Sequence, residues 1–162
     1  MIRCLRGLAA GLAAAGLLTG CGIEPTGVFD SGQAPTGVAP GVTVYLVDST
    51  GTLRPSFYKT GRLGDIPRAL DLLLRGYQTP GDVLHTEIDP VGTLGPVVTT
   101  SDAVISVMLP LARYELGARG IDQLVCTVLG VHRQAGGSRV TKVVLTFTIG
   151  NATEPRSCPI LG

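Results

Sequence analysis

The sequence contains few of the residues from which most ligand sites are built. Aromatic side chains make up 4% of its 162 residues, tryptophan is absent, and there are two histidines. Because platforms that stack sugars or nucleic-acid bases need aromatic side chains, no such platform is expected. Zinc sites need cysteine or histidine ligands at short, matched spacings. No such set occurs, so we expect no metal and no cofactor.

Charged residues are also sparse, at 15% of the chain. The first 20 residues hold two of the 13 basic residues and none of the 12 acidic ones, so the remainder has a net charge near −1. Nucleic-acid binding requires a clustered basic face, which the sequence lacks, and we expect no nucleic-acid partner. The apolar content of 44% is sufficient for a packed core.

Catalytic motifs are missing as well. The sequence has no His-Glu-x-x-His motif, phosphate-binding loop, calcium loop or nucleophile elbow. His85 lies in a predicted strand beside Glu87, and His132 lies just after a predicted helix. A histidine without a fixed partner is weak evidence for catalysis, so we assign both to solvated structural roles. The sequence therefore predicts that the chain is not an enzyme.

The N-terminus has the order of a secretory signal. Arg3 and Arg6 are followed by the uncharged stretch 7–20. These 14 residues are fewer than the roughly 20 that a membrane-spanning helix needs. A short basic segment, an apolar run and then small residues are typical of a cleaved signal peptide.

The stretch Leu18-Thr19-Gly20-Cys21 resembles the lipobox of bacterial lipoproteins. In that family the cysteine thiol is joined to diacylglycerol and becomes the first residue after cleavage. We therefore predict a signal peptide over 1–20, lipidation of Cys21, and anchoring to the cell membrane on its extracytoplasmic face. The alternative is an ordinary signal peptide with an incidental cysteine.

Residues 21–41 are predicted to be a flexible linker. Five glycines and three prolines fall between residues 22 and 41, with no apolar period. Apolar periodicity then begins at residue 42 and indicates one folded domain over 42–158. Predicted strands span residues 42–47, 53–58 (weaker and broken at Pro55), 83–89, 96–100, 103–109 and 143–149.

Two helices are predicted between these strands. Asp65 can cap the first, whose apolar residues lie on one face, and Gly76 ends it. The second is centred on residues 121–128, with Gly130 marking its end. This order indicates an α+β fold: a small single domain with a mixed or antiparallel sheet and two helices packed on it.

The chain from about residue 42 to residue 151 resembles the GerMN domain, a module of spore-germination proteins and actinobacterial envelope lipoproteins. Tyr77 departs from the family, which often has proline after the helix-ending glycine. The resemblance rests on the segments Val44-Tyr45-Leu46-Val47-Asp48 with Gly51 and Leu53, Ala69-Leu70 and Leu73-Leu74 before Gly76, the stretch from Gly92-Thr93-Leu94 to Leu109, and Gln123-Leu124-Val125-Cys126-Thr127.

The resemblance implies an extracytoplasmic, non-enzymatic module that works in protein assemblies, and it implies no catalytic residues. We therefore expect a membrane-anchored lipoprotein whose domain binds another envelope protein, for instance by strand pairing at a sheet edge. The alternative is an extracytoplasmic receptor for a small solute. That alternative needs a concave pocket with convergent polar groups, and it is less expected in so small a domain.

Two cysteines remain once Cys4 is lost with the signal peptide and Cys21 is lipidated. Cys126 lies in the second predicted helix and Cys158 near the C-terminus. Because thiols outside the cytoplasm tend to be oxidised, we predict a disulfide between them that ties the polar tail to the helix. The alternative is one buried and one exposed thiol.

Overall fold

The computed structural model describes residues 41–162, except 62–63, 78, 80–82, 93–94, 102 and 140. The predicted signal peptide, the lipidation site Cys21 and nearly all of the predicted linker lie outside the described residues. The domain is α+β, as predicted. Its elements in chain order are β1 (Gly41–Asp48), β2 (Leu53–Lys59), α1 (Ile66–Leu74), β3 (Leu84–His85), β4 (Val97–Thr100), β5 (Val104–Ala112), α2 (Ala118–Gln134) and β6 (Lys142–Ile149).

The first sheet has the strand order β2-β1-β3 and is antiparallel. Strand β1 is buried almost throughout, as its unbroken apolar run predicts. The predicted break in β2 at Pro55 is wrong, because β2 is continuous and Pro55 pairs with Tyr45. The Tyr45 N–H donates to Thr127 Oγ1 (2.9 Å) and its carbonyl accepts from Gln123 Nε2 (3.1 Å). Since the backbone groups of Tyr45 form their hydrogen bonds on the side away from β2, the ladder between β1 and β2 requires no N–H from Pro55.

Asp48 organises the turn between β1 and β2. Its Oδ1 accepts hydrogen bonds from the Thr50 hydroxyl (2.6 Å), the Thr50 amide (2.9 Å) and the Thr52 amide (3.0 Å). Its Oδ2 accepts one from Arg54 Nε at 3.0 Å. These donors, the Thr50 hydroxyl foremost, hold the pKa of Asp48 well below its usual range.

The second sheet has the order β4-β5-β6. Strands β4 and β5 are antiparallel, and β5 and β6 are parallel and joined through α2, as a parallel pair requires. The predicted inward face of β5 is confirmed, since Ile105, Val107 and Leu109 are fully buried. The sheet arrangement is thus mixed.

Helix α1 has the predicted cap and the predicted buried face. Asp65 Oδ1 accepts from the Arg68 amide at 2.9 Å, and Gly76 follows the helix with a φ of +74°. The predicted apolar face is buried against the core and comprises Ile66, Ala69, Leu70, Leu73 and Leu74.

Helix α2 is longer than predicted, and the assignment of Gly130 as its end is wrong. The helix runs through Gly130 and ends before Gly136, which has a φ of +84°. A Cβ atom at Gly130 would lie 2.8 Å from Cε2 of Tyr45, so the glycine permits close contact between helix and sheet. His132 consequently lies in the last turn of α2 and not after it.

The third strand is shorter than predicted, because only Leu84 and His85 pair with β1. A fully buried side chain of α2, Gln123, takes the place of further pairing. Its Oε1 accepts from the Glu87 amide at 2.8 Å, while its Nε2 donates to the Tyr45 carbonyl at 3.1 Å and approaches the His85 carbonyl at 3.5 Å. Gln123 therefore joins β1, the β3 segment and α2.

The C-terminal tail runs along the outer edge of β6. Val143 and Arg156 exchange two backbone hydrogen bonds of 2.9 and 2.8 Å, and the Thr153 amide donates to the Leu145 carbonyl at 2.9 Å. The predicted disulfide is present in the structure, with a Cα–Cα distance of 4.7 Å between Cys126 and Cys158. The bond ties the tail to α2.

Candidate functional site

Three of the sheet edges are covered, short or protected against pairing. The tail covers β6, and β3 has only two residues. Strand β2 is continuous but carries Arg54, Pro55 and Lys59, and charges and proline discourage a further strand. Strand β4, with the sequence Val-Val-Thr-Thr, has neither a charge nor a proline, and no described residue pairs with its outer side. It is therefore the open edge of the described domain.

The hydrogen bonding at the turn into β5 shows which backbone groups of β4 point outward. The Ser101 amide donates to the Val104 carbonyl at 3.0 Å, so these two residues form a hydrogen-bonded pair. Bonding alternates along an antiparallel ladder, which turns the N–H and C=O groups of Val98 and Thr100 away from β5. The edge thus offers two donors and two acceptors at the spacing of an extended chain.

A groove of about 460 Å³ lies beside this edge. It is bounded by β4, the start of α1 and the end of α2, and its surface is mainly apolar. An added strand would direct every second side chain toward one face of the sheet, so an apolar side chain could enter the groove. The lining residues are Gly64, Asp65, Ile66, Pro67, Val98, Thr100, Val131, His132 and Ala135.

The two titratable groups of the groove are used by the fold. The Asp65 carboxylate caps α1 through the Arg68 amide at 2.9 Å. His132 Nε2 lies 3.1 Å from the hydroxyl of Thr141, a buried residue. Both groups are therefore engaged in hydrogen bonds within the domain, Asp65 with the Arg68 amide and His132 with the Thr141 hydroxyl.

Apolar surface continues from the edge onto the outward face of the second sheet. Val97 and Met108 are direct cross-strand partners and are 62% and 58% exposed. Cross-strand neighbours of this kind form a contiguous patch. This small patch lies on the face of the sheet next to the unpaired strand β4.

The residues singled out in the sequence lie elsewhere or are structural. His85 Nε2 is 3.5 Å from Glu87 Oε1, and both side chains are more than a third exposed. Among the described residues, no three His, Cys, Asp or Glu side chains are grouped closely enough to bind a metal ion. No helix in the described part of the chain has the length and apolar character needed to cross a membrane.

Neither the β4 edge nor the groove is among the features predicted from the sequence. One local signal for the edge exists, because the run Val97-Val98-Thr99-Thr100 lacks the charges and proline that protect β2. The groove has no local signal, since it combines residues from three separate parts of the chain.

Comparison with known proteins bears on the fold. Neither a protein-family model nor a curated protein sequence matches the chain. A solved structure of the tandem GerMN domains of the sporulation protein GerM from Bacillus subtilis superposes with a TM-score of 0.50 over 78% of this chain. The domain has a GerMN-like fold. At 16% sequence identity the likeness is one of fold alone, and it confirms the resemblance found in the sequence.

The GerMN-like chain spans about half the length of that tandem structure, covering 49% of it. The described elements β1 to β6, together with α1 and α2, form one compact unit. What the tandem protein does as a whole therefore carries over to this chain only as a hypothesis.

Proposed function

We propose that the chain is a lipoprotein anchored to the extracytoplasmic face of the cell membrane, and that its GerMN-like domain is a non-catalytic module that binds an extended segment of another envelope protein. The observation that carries this proposal is the open edge of β4 beside an apolar groove. An extended polypeptide is the ligand whose backbone matches the outward groups of Val98 and Thr100.

The expected strength of this contact explains why an anchor would be useful. Four backbone hydrogen bonds contribute about 0.5–1.5 kcal/mol each. One buried apolar side chain adds about 1.5–3 kcal/mol. The gross sum of roughly 4–9 kcal/mol is reduced by the cost of ordering the peptide, which leaves micromolar or weaker binding. Confinement of both partners to one membrane raises their effective concentration and compensates for weak affinity.

The N-terminal sequence supplies such an anchor. Two acyl chains hold a protein firmly, whereas one holds it only marginally. As a flexible coil, the linker over 21–41 would reach about 25 Å, enough to hold the domain clear of the lipid headgroups. The lipid on Cys21 and this linker together would keep the β4 edge accessible near the membrane.

Crosslinking in intact cells, followed by mass spectrometry, tests the proposal. We expect the wild-type chain to capture one exported or membrane-bound protein in near-stoichiometric amount. Cys21→Ala should lose both the membrane association and the captured protein. Cys4→Ala is the matched control, since it removes a cysteine that the proposal places in the discarded signal, and it should behave as wild type.

Two outcomes would contradict the proposal. Recovery of no specific neighbour would remove the evidence for a partner. Retention of membrane association by Cys21→Ala would show that Cys21 is not the lipidated residue.

A further inference from the structure

A second concavity, of about 490 Å³, lies where the end of α2, the start of β6 and the C-terminal tail meet. It shares no lining residue with the groove beside β4. Its polar side chains include three cations, Arg133, Arg139 and Lys142, and none of the described residues that line it is acidic. Neutral lining is provided by residues such as Ser157 and Leu161.

Arg133 is held in place by the backbone of the pocket. Its guanidinium donates to the carbonyl oxygens of Gly162 (3.1 Å), Arg139 (3.2 Å) and Leu161 (3.3 Å). Carbonyl oxygens orient the guanidinium but do not neutralise its charge, and no described acidic side chain forms an ion pair with it. No described Asp or Glu side chain offsets the charge of this half-buried cation, and a bound anion would do so.

The other two cations are at the mouth of the pocket. Arg139 and Lys142 are exposed. Lys142 Nζ contacts the Ser157 hydroxyl. Even if the Gly162 oxygen carried a negative charge, the three cations would leave the pocket with a net charge of +2. The position of the tail, and therefore of Ser157, depends on the disulfide at Cys158, which also lines the pocket.

We propose that this pocket binds a phosphate group, supplied either as free phosphate or as the headgroup of an anionic phospholipid. Inorganic phosphate carries more than one negative charge near neutral pH, a phospholipid phosphodiester carries one, and both present strong acceptor oxygens. Arginine and lysine together match this chemistry, because the guanidinium donates in a fixed fork and the ammonium acts as a compact charge. The proposal does not depend on the use of the β4 edge.

The test uses the mature chain from residue 21, with Cys21→Ser so that no lipid is attached. Inorganic phosphate is titrated while backbone amides are followed by NMR. Binding to vesicles of phosphatidylglycerol or of phosphatidylcholine is measured by sedimentation. The variant Arg139→Gln/Lys142→Gln removes two exposed cations of the pocket. The charge-matched control Arg68→Gln/Arg119→Gln removes two exposed cations outside it.

We expect phosphate to shift amide resonances of the wild-type chain, or phosphatidylglycerol vesicles to carry the wild-type chain into the pellet. Removal of each cation should weaken binding about fivefold, so the pocket variant should bind about 25-fold more weakly. The affinity of the control variant should stay within about twofold of wild type. That change is smaller than the roughly fivefold effect expected from removing one cation of the pocket. Amide shifts near Arg139, Lys142 and Ser157 with phosphate alone would identify free phosphate. Binding only to phosphatidylglycerol vesicles would identify the headgroup.

Two results would overturn the proposal. One is the absence of binding to both phosphate and phosphatidylglycerol vesicles. The other is an equal loss of binding in the pocket variant and the charge-matched control, which would show that only the overall charge of the chain matters.

Discussion

Gln123→Leu is expected to lower the free energy of unfolding by about 2–5 kcal/mol, although leucine has a similar volume and suits a buried position. The substitution leaves the Glu87 N–H and the Tyr45 carbonyl without their partner at positions where β1 has no neighbouring strand. An orphaned backbone group costs about 1–3 kcal/mol when it cannot reach water. The Tyr45 carbonyl incurs this cost in full because it is buried, whereas Glu87 is exposed and its N–H costs less.

Urea unfolding followed by circular dichroism measures this loss. Gln134→Leu is the matched control, because it makes the same chemical change on the same helix. Gln134 is only partly buried and donates one long hydrogen bond, to the Gly41 carbonyl at 3.4 Å. Gln134 Oε1 is buried with no hydrogen-bond partner among the described residues, so its removal offsets the loss of that bond. We therefore expect the free energy of unfolding of the control to change by less than about 0.5 kcal/mol. An equal loss in both variants would show that Gln123 does not join β1, β3 and α2 as described.

Cys126→Ala/Cys158→Ala is expected to lower the free energy of unfolding by about 3–4 kcal/mol. The disulfide closes a loop with a sequence separation of 32 residues. Cutting it restores the conformational freedom of that loop in the unfolded chain, and the chain-entropy relation gives a cost of this size. Since either substitution breaks the bond, Cys126→Ala alone should cost nearly as much as the double variant.

The same unfolding measurement, with and without reductant, tests this account. Reduction should destabilise the wild-type chain and leave the double variant unchanged. Two alkylatable thiols in the non-reduced mature chain would contradict the disulfide, as would a loss of less than about 1 kcal/mol in the double variant.

Much of the fold could be predicted because its signals are local. The apolar alternation in β5 predicts that Ile105 and Val107 share a buried face, and both are fully buried. The carboxylate of Asp65 followed by an apolar helical face predicts the start of α1, and Gly76 predicts its end. In each case the residue and the feature that it determines lie within a few positions of one another.

The main predictions that the structure contradicts all involve contacts of one residue, Tyr45. Gly130 continues α2 because it packs against the Tyr45 ring, and Pro55 does not break β2 because Tyr45 bonds in the other direction. Strand β3 is short because the Gln123 side chain, and not a further residue of β3, forms the hydrogen bond to the Tyr45 carbonyl. Burial also raises the pKa of the Tyr45 hydroxyl. These contacts join residues far apart in the chain, so no local pattern reveals them.

The sequence predicts the kind of site, a binding edge of a sheet, but not its position in the fold. The family resemblance and the scarcity of catalytic groups favour binding at a sheet edge, but they do not indicate which edge. That choice depends on the tail covering β6 and on Pro55 and Arg54 protecting β2. It also depends on the groove that α1 and α2 leave beside Val98.

A pair of substitutions at Thr100 tests the central claim most directly. The Thr100 side chain is exposed, and its N–H points away from β5, so Thr100→Pro removes an outward donor while preserving the ladder within the sheet. Thr100→Ala removes the side chain and keeps that donor. Both variants should unfold within about 1 kcal/mol of wild type, as surface substitutions usually do.

The measurement is the yield of the crosslinked envelope protein in intact cells for wild type and both variants. We predict that Thr100→Pro loses the partner and Thr100→Ala retains it, because backbone pairing at the β4 edge needs the N–H and not the hydroxyl. Retention of the partner by Thr100→Pro, with its fold intact, would contradict binding at this edge.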